Sequence, residues 1–235
     1  MASIYVIRHG QASFGAANYD KLSDLGCRQA TVLGHYLRDC NIHFDAAYSG
    51  DLQRQRKTAE LALASQPTTV QHTIDARFNE VRNDEQVNFL VPELIKTNER
   101  IRAQMEKGLS ASKDYQKVIE AVFNYWVSPD CNEPRIQSWE EYSSAVHSAL
   151  AEVIQAQGSG KTVGIFASGG TIATIVAHVL GLSGAHAYSF YEPVINCSVT
   201  RLFYNAQKVS LSYFNDHSFL DVLGQQNNEF LLSYR

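Results

Sequence analysis

The order of apolar and polar positions along the 235-residue chain predicts alternating strands and helices. Short uncharged apolar runs are typical of buried strands, whereas apolar residues spaced three or four apart indicate helices with one buried face. The predicted strands cover residues 3–7, 44–48, 69–72, 162–167, 198–204 and 209–214. The predicted helices cover residues 23–38, 52–64, 91–107, 112–127, 138–157 and 171–180. This alternation favours an α/β fold with a mostly parallel central sheet and helices on both faces.

Several element ends have recognisable local signals. Ser23 is a favourable N-cap for the first helix, and Ser138 with Glu141 forms a capping box at another. Gly158 is a suitable stop for that second helix. The polar residues 205–208 separate the last two strands and predict a hairpin. We expect one domain over residues 1–235.

A compact chemical signal follows the first predicted strand, where Arg8, His9 and Gly10 are consecutive. Open α/β sheets bind ligands at the carboxyl ends of their strands. A neutral histidine nitrogen can attack phosphorus, and a neighbouring arginine can hold phosphoryl oxygens in its planar fork. Glycine lets the backbone turn sharply beside a ligand. The pattern suggests phosphoryl transfer, although three residues at a strand end can also occur by chance.

Further blocks of sequence strengthen this hypothesis, because together with the first they resemble the histidine phosphatase superfamily, also called phosphoglycerate-mutase-like. The matching blocks, in the family's order, are residues 8–12, 22–30, 48–54, 58–60, 78–80, 167–170 and 196–200. The resemblance implies that His9 is a nucleophile that becomes phosphohistidine. It also implies substrate-phosphate contacts from Arg8, Gln11, Arg54, Ser168 and Gly169. A histidine nucleophile needs its second ring nitrogen held by a carbonyl or carboxylate, which fixes the tautomer.

Two of these assignments have neighbours that compete with them. Arg54 is favoured over Arg56 by its spacing from the strand that ends near Ser49, and a helix start attracts phosphate. Glu80 resembles the family's proton donor, and it is favoured over Glu85 because residues 78–80 end a short β-like stretch. A glutamic acid in this role needs a raised pKa.

The sequence departs from the family at Ser168, where the resemblance leads us to expect a second histidine before two glycines. Serine can donate a hydrogen bond but carries no positive charge. Three explanations stay open: His217 supplies the missing cation, the substrate is unusually reactive, or the protein binds phosphorylated ligands with little turnover. His178 and His186 are weaker candidates for the compensating group.

Residues 84–136 match no motif of the family and contain two of the predicted helices. The resemblance implies that a helical insertion here lies over the carboxyl ends of the strands as a lid and shapes substrate choice. The alternative is a helical hairpin that only enlarges the fold.

Composition excludes several other classes of protein. Hydrophobic residues make up 45% of the chain and charged residues 19%, with a formal net charge of −4. These values argue against nucleic-acid binding, and no apolar stretch is long enough to span a bilayer. Without a signal-peptide pattern we expect a cytoplasmic protein. The four cysteines are far apart and no ligand cluster is apparent, so we expect neither metal nor cofactor.

The function that fits best is a metal-independent phosphatase acting on a small phosphomonoester through a phosphohistidine intermediate. The first alternative is a catalytically weakened member that binds a phosphorylated metabolite or a protein partner. A phosphomutase is a weaker alternative. The sequence does not identify the substrate or the oligomeric state.

Overall fold

A six-stranded mixed sheet forms the centre of the protein, and the computed structural model describes residues 2–13, 18–109 and 112–234. The strands are β1 Ala2–Arg8, β2 Ala46–Ser49, β3 Gln71–Ile74, β4 Thr162–Ala167, β5 Val199–Tyr204 and β6 Val209–Asp216. Their order across the sheet is β3-β2-β4-β1-β5-β6. The first four are mutually parallel, and β5 and β6 are antiparallel. The predicted mostly parallel sheet and the final hairpin are therefore confirmed.

The helices lie between and after these strands. They are α1 Asp24–Asp39, α2 Gln53–Leu63, α3 Asn83–Thr97, α4 Glu99–Lys107, α5 Ser112–Trp126, α6 Trp139–Gln157, α7 Gly169–Val179, α8 Ala187–Tyr191 and α9 Ser218–Asn227. A 3₁₀ turn, Ala76–Phe78, follows β3, and another, Gly184–His186, precedes α8. The described helices include none that is long and apolar enough to cross a membrane.

The predicted caps are present. The Ser23 hydroxyl accepts a hydrogen bond from the Gly26 amide at 3.0 Å. Ser138 and Glu141 bond reciprocally through side chain and backbone at 2.9 and 3.1 Å. Each contact satisfies amides that the first helical turn leaves without a partner.

The predicted helix over residues 91–107 is wrong in its bounds, because two helices replace it. Asn98 adopts an extended conformation between α3 and α4, and its side chain accepts from the Ile101 amide at 3.2 Å. Both helices bury one apolar face, so the spacing of apolar residues continues across the break. That spacing alone therefore does not reveal the break at Asn98.

Apolar residues cover both faces of the sheet. One cluster joins the sheet to α3 and α5–α8 and includes Phe78, Phe123 and Leu150. The other joins it to α1, α2 and α9 and includes Leu33 and Leu37. Helices therefore shield both faces, as the α/β pattern predicted.

The register of the strands determines which candidate site residues lie close together. Arg8 at the end of β1 is paired with Ala167 at the end of β4, and Ser49 of β2 is paired with Phe166. Residues that directly follow these three strands therefore converge at one edge of the sheet.

Candidate active site

His9 is held rigidly at the end of the central strand. Its backbone amide donates to the Ala167 carbonyl at 2.9 Å, and its own carbonyl accepts from the Asn196 side chain at 3.1 Å. The residue is only 3% exposed. A Cβ atom on Gly10 would lie 2.4 Å from the Gly26 carbonyl oxygen, so only glycine allows this close approach.

Hydrogen bonds determine the tautomer of His9. Nδ1 lies 2.7 Å from the Gly10 carbonyl oxygen, which can only accept, and so Nδ1 carries the proton. Nε2 accepts from Arg54 Nε at 3.1 Å. Burial, followed by the positive charges of Arg54 and Arg8, holds the pKa of His9 well below its ordinary value of 6.5. The ring is therefore neutral near pH 7, with the lone pair of Nε2 on the site side.

Arg54 reaches His9 from the first turn of α2. Its Nη1 lies 2.7 Å from Asp20 Oδ1, and Asp20 Oδ2 accepts from the Gln53 amide at 2.8 Å. Asp20 thus fixes the guanidinium against the helix start and offsets part of its charge. The competing Arg56 is largely exposed and lies 3.9 Å from Asp51. The structure brings Arg54 and not Arg56 to His9.

Arg8 presents a second guanidinium. Its Nη1 donates to the Val194 carbonyl, whereas its buried Nε has no hydrogen-bond partner among the described residues. A buried donor without a partner is costly, which is a reason to expect an acceptor such as phosphate there. Gln11 follows two residues after His9, and its side-chain oxygen accepts from Ser23 at 2.8 Å.

Glu80 follows the 3₁₀ turn rather than the β-like stretch that the sequence suggested. One carboxyl oxygen, Oε1, accepts from the Val81 and Gly170 amides at 3.0 and 2.9 Å. Burial raises the pKa of Glu80, although Arg54 and Arg8 oppose the shift. The competing Glu85 is paired with Arg82 at 3.3 Å on the surface.

Ser168 is fully buried directly after β4, as the N-cap residue of α7. Its hydroxyl oxygen accepts from Gln55 Nε2 at 2.9 Å. Gly169, the next residue, lies under the ring of Tyr191, because a Cβ atom there would be 2.8 Å from the ring. The Tyr191 hydroxyl accepts from Asn83 at 3.0 Å, which connects the start of α3 to this edge.

The histidines considered as compensating groups bond or stack with other residues. His217 donates through Nδ1 to the Asn215 carbonyl at 2.8 Å, and its Nε2 lies 3.8 Å from Asp221. His178 stacks on His147 with ring centres 3.9 Å apart. His186 contacts Ser183 at 3.1 Å. None of these contacts joins a histidine to His9 or Ser168.

A late segment of the chain, residues 229–233, supports the loop that carries His9. Gln29 accepts from the Gln11 amide at 2.9 Å and donates to Leu231 and Ser233 at 2.8 and 2.9 Å. The Ser233 hydroxyl also donates at 3.0 Å to Asn196, the residue that bonds the His9 carbonyl. No local pattern in the sequence predicts these contacts of Gln29, Asp20 and Gln55, because polar side chains inside or beside helices are common and carry no distinctive spacing.

The site has the parts for metal-free phosphoryl chemistry: a neutral nitrogen nucleophile, two guanidinium groups and a carboxyl group with a raised pKa. In the described parts of the chain, no three His, Cys, Asp or Glu side chains come together as metal ligands.

Curated relatives of the chain include both phosphatases and mutases. A broad-specificity phosphatase of Saccharomyces cerevisiae is 41% identical over 66 residues, which are 26% of this chain and 29% of that protein. The chain therefore aligns with less than a third of that relative. The "probable phosphoglycerate mutase" GpmB of Klebsiella pneumoniae is 25% identical over 211 residues, covering 87% and 86% of the two chains.

Structural comparison supports the same fold. YhfR of Bacillus stearothermophilus superposes with a TM-score of 0.67 at 17% identity, covering 93% of this chain and 99% of its own. The sequence model named "Histidine phosphatase superfamily (branch 1)" matches residues 4–108 and 93–217, which is most of the chain. On these matches and this fold, the protein belongs to the histidine phosphatase superfamily.

Proposed function

We propose that this protein is a metal-independent phosphatase of small phosphomonoesters that works through a phosphohistidine at His9 Nε2. The observation that carries the proposal is the neutral ring of His9, with Nδ1 bonded to Gly10 and Nε2 facing Arg54 at 3.1 Å. The same family includes mutases, but water is the simplest acceptor for a phosphoryl group held at this edge.

In the first step the Nε2 lone pair attacks phosphorus, and the bond to the leaving oxygen breaks. Glu80 gives its proton to that oxygen and becomes a carboxylate. Arg8 and Arg54 hold the phosphoryl oxygens, and Arg54 exchanges its bond to Nε2 for one to oxygen. Such positioning and charge stabilisation supply most of the catalysis in phosphoryl transfer.

In the second step water attacks phosphorus and the N–P bond breaks, which returns the electron pair to Nε2. Glu80 takes a proton from the water and is ready for the next cycle. Microscopic reversibility gives one carboxyl group both roles, and its raised pKa suits the exchange.

A binding protein with weak turnover is the second candidate, and one observation favours it. Ser168 occupies the place where the family resemblance leads us to expect a second histidine, and its hydrogen-bond partner, Gln55, is also uncharged. We propose that this exchange lowers the rate without abolishing the reaction, since His9, both arginines and Glu80 remain.

The decisive experiment replaces His9 with alanine and measures hydrolysis of p-nitrophenyl phosphate without added metal. We expect the rate to fall to background, and we expect phosphorylated protein to be trapped at alkaline pH only in the chain that keeps His9. His186→Ala is the control and keeps its rate. Equal rates for His9→Ala and the unmodified chain would refute the nucleophile. A background rate in both, with phosphate still bound, would favour the binding protein.

A further inference from the structure

Ser168 lies at an N-cap position without capping its helix. Serine at this position usually accepts a hydrogen bond from an amide of the first helical turn. The Ser168 side chain makes no such bond, and the Gly170 amide donates instead to Glu80 at 2.9 Å. The Glu80 carboxyl group therefore accepts the hydrogen bond that a capping serine would accept. The Ser168 hydroxyl is left to bond a different group.

Gln55 lies beside that hydroxyl, and both hydrogens of its side-chain amide are used. Its Nε2 donates to the Phe78 carbonyl and to Ser168 Oγ, each at 2.9 Å. Its Oε1 accepts from the Leu52 amide at 3.3 Å, and the residue is fully buried. Because the Phe78 carbonyl can only accept and the Leu52 amide can only donate, these two contacts fix which end of the amide faces Ser168.

This orientation determines what the hydroxyl can do. Ser168 Oγ receives a hydrogen from Gln55, so its own hydrogen needs a different acceptor. Ser168 follows Ala167, whose carbonyl holds the His9 amide at 2.9 Å. It also precedes the glycines, of which Gly170 binds Glu80. Along the chain Ser168 therefore stands between the strand end that bonds His9 and the helix turn that bonds Glu80, at the edge where we propose that the phosphoryl group is transferred.

From this contact we infer that Gln55 is a positioning residue: it directs the Ser168 hydroxyl to donate to the phosphoryl group, and it fills space that an imidazole at position 168 would need. The inference rests on the proposed phosphatase function. Removing a preorganised donor to a developing charge typically lowers turnover about 100-fold or more, and losing only its orientation should cost less, on the order of tenfold.

The first test is a double-mutant cycle on Gln55→Met and Ser168→Ala. Methionine keeps the length of the side chain and removes both amide donors. We expect Gln55→Met to lower kcat about tenfold with little change in KM, and to have little further effect when Ser168 is already alanine. Equal losses in both backgrounds would mean that Gln55 acts only on the fold, and would overturn the inference. Lys57→Met on the exposed face of α2 is the control.

A second test remains informative if Gln55→Met folds poorly. Ser168→His alone should lower or abolish turnover, because the imidazole meets the Gln55 side chain. Ser168→His combined with Gln55→Ala should exceed the turnover of the single variant at least tenfold. If Ser168→His alone is as active as the double variant, the space was never filled by Gln55 and the inference is wrong.

His9→Ala separates this inference from the proposed function. If His9→Ala keeps the full phosphatase rate, the proposed function itself fails. If it abolishes hydrolysis while Gln55 and Ser168 act independently, only the positioning role fails.

Discussion

At the scale of single residues, the two oxygens of Glu80 have different surroundings. Oε1 accepts from two backbone amides, whereas Oε2 is the oxygen left to carry a proton. Burial favours the neutral carboxyl group, and the nearby guanidinium groups favour the charged one. The net raised pKa is what the proposed role of this group, as an acid first and a base afterwards, requires.

We expect Glu80→Gln to lower the hydrolysis of alkyl phosphates about 10²- to 10⁴-fold, because their leaving oxygens need a proton. The loss in kcat/KM, which reports the first step, should be much smaller for p-nitrophenyl phosphate, since nitrophenolate leaves without a proton. The alkaline limb of the pH profile, where activity falls as Glu80 loses its proton, should also disappear. Glu85→Gln is the matched control. Equal losses for both substrates would contradict the role of Glu80 as an acid.

The sequence predicts some of these residues and not others, for a physical reason. His9 directly follows the end of β1, and Arg54 lies in the first turn of the helix after β2, so a local pattern locates them. Asp20 reaches Arg54 from 34 positions away, and Gln55 reaches Ser168 across 113 positions. These pairs come together only when the helices and loops pack on the sheet. A pattern of neighbouring residues carries no information about that packing.

At the scale of elements, residues 229–233 act as a brace on the loop of His9. Ser233 receives a hydrogen bond from Gln29 and donates one to Asn196, and these two residues hold the backbone on either side of Gly10. The outer end of the same segment is an exposed ion pair between Glu229 and Arg28 at 2.8 Å. The end at Ser233 therefore supports the loop of His9, whereas the end at Glu229 makes only a surface ion pair.

Ser233→Ala should reduce both stability and turnover. It removes two hydrogen bonds and leaves a carbonyl oxygen of Asn196 without a donor, at a cost of about 1–3 kcal/mol in the free energy of unfolding. Glu229→Gln breaks only the surface pair and should cost about 0–1 kcal/mol. Urea unfolding and kcat measured on both variants provide the check. Similar small effects for both would show that the brace is unimportant.

Element prediction succeeded where local chemistry and burial agree. The capping box at Ser138 and the apolar runs of β1 and β4 are examples, since each signal lies within a few residues. It failed at Asn98, which breaks a continuous apolar period, and it missed α8 and α9. The lid role of residues 84–136 stays a prediction. The helix that leads into this region, α3, begins at Asn83, and the side chain of Asn83 donates a hydrogen bond to Tyr191 at the edge of the site.

At the scale of the whole molecule, buried neutral histidines make stability depend on pH. The pKa values of His9, His72 and His147 are all lowered from 6.5, chiefly by burial. Below that pH the unfolded chain binds protons that the folded chain does not, so acid favours unfolding. Glu80 works in the opposite sense, because its raised pKa favours the folded state at low pH.

We therefore expect the free energy of unfolding to fall as the pH is lowered from about 7.5 to 5.5, before most carboxylates titrate. Each histidine contributes at most about 1.4 kcal/mol per pH unit below its unfolded pKa. His9→Gln should reduce this slope. Urea unfolding at several pH values measures the slopes, and an unchanged slope in His9→Gln would refute the assignment.

The central position of β1 has a consequence for how the protein is made. Its two neighbours in the sheet, β4 and β5, lie at residues 162–167 and 199–204, and the brace on His9 comes later still. During synthesis an apolar strand with both edges unpaired must therefore wait while most of the chain emerges from the ribosome. We expect chains that stop before residues 229–233 to be dependent on chaperones and to lack the proposed phosphatase activity, since the loop of His9 acquires its supports only after that segment has been made.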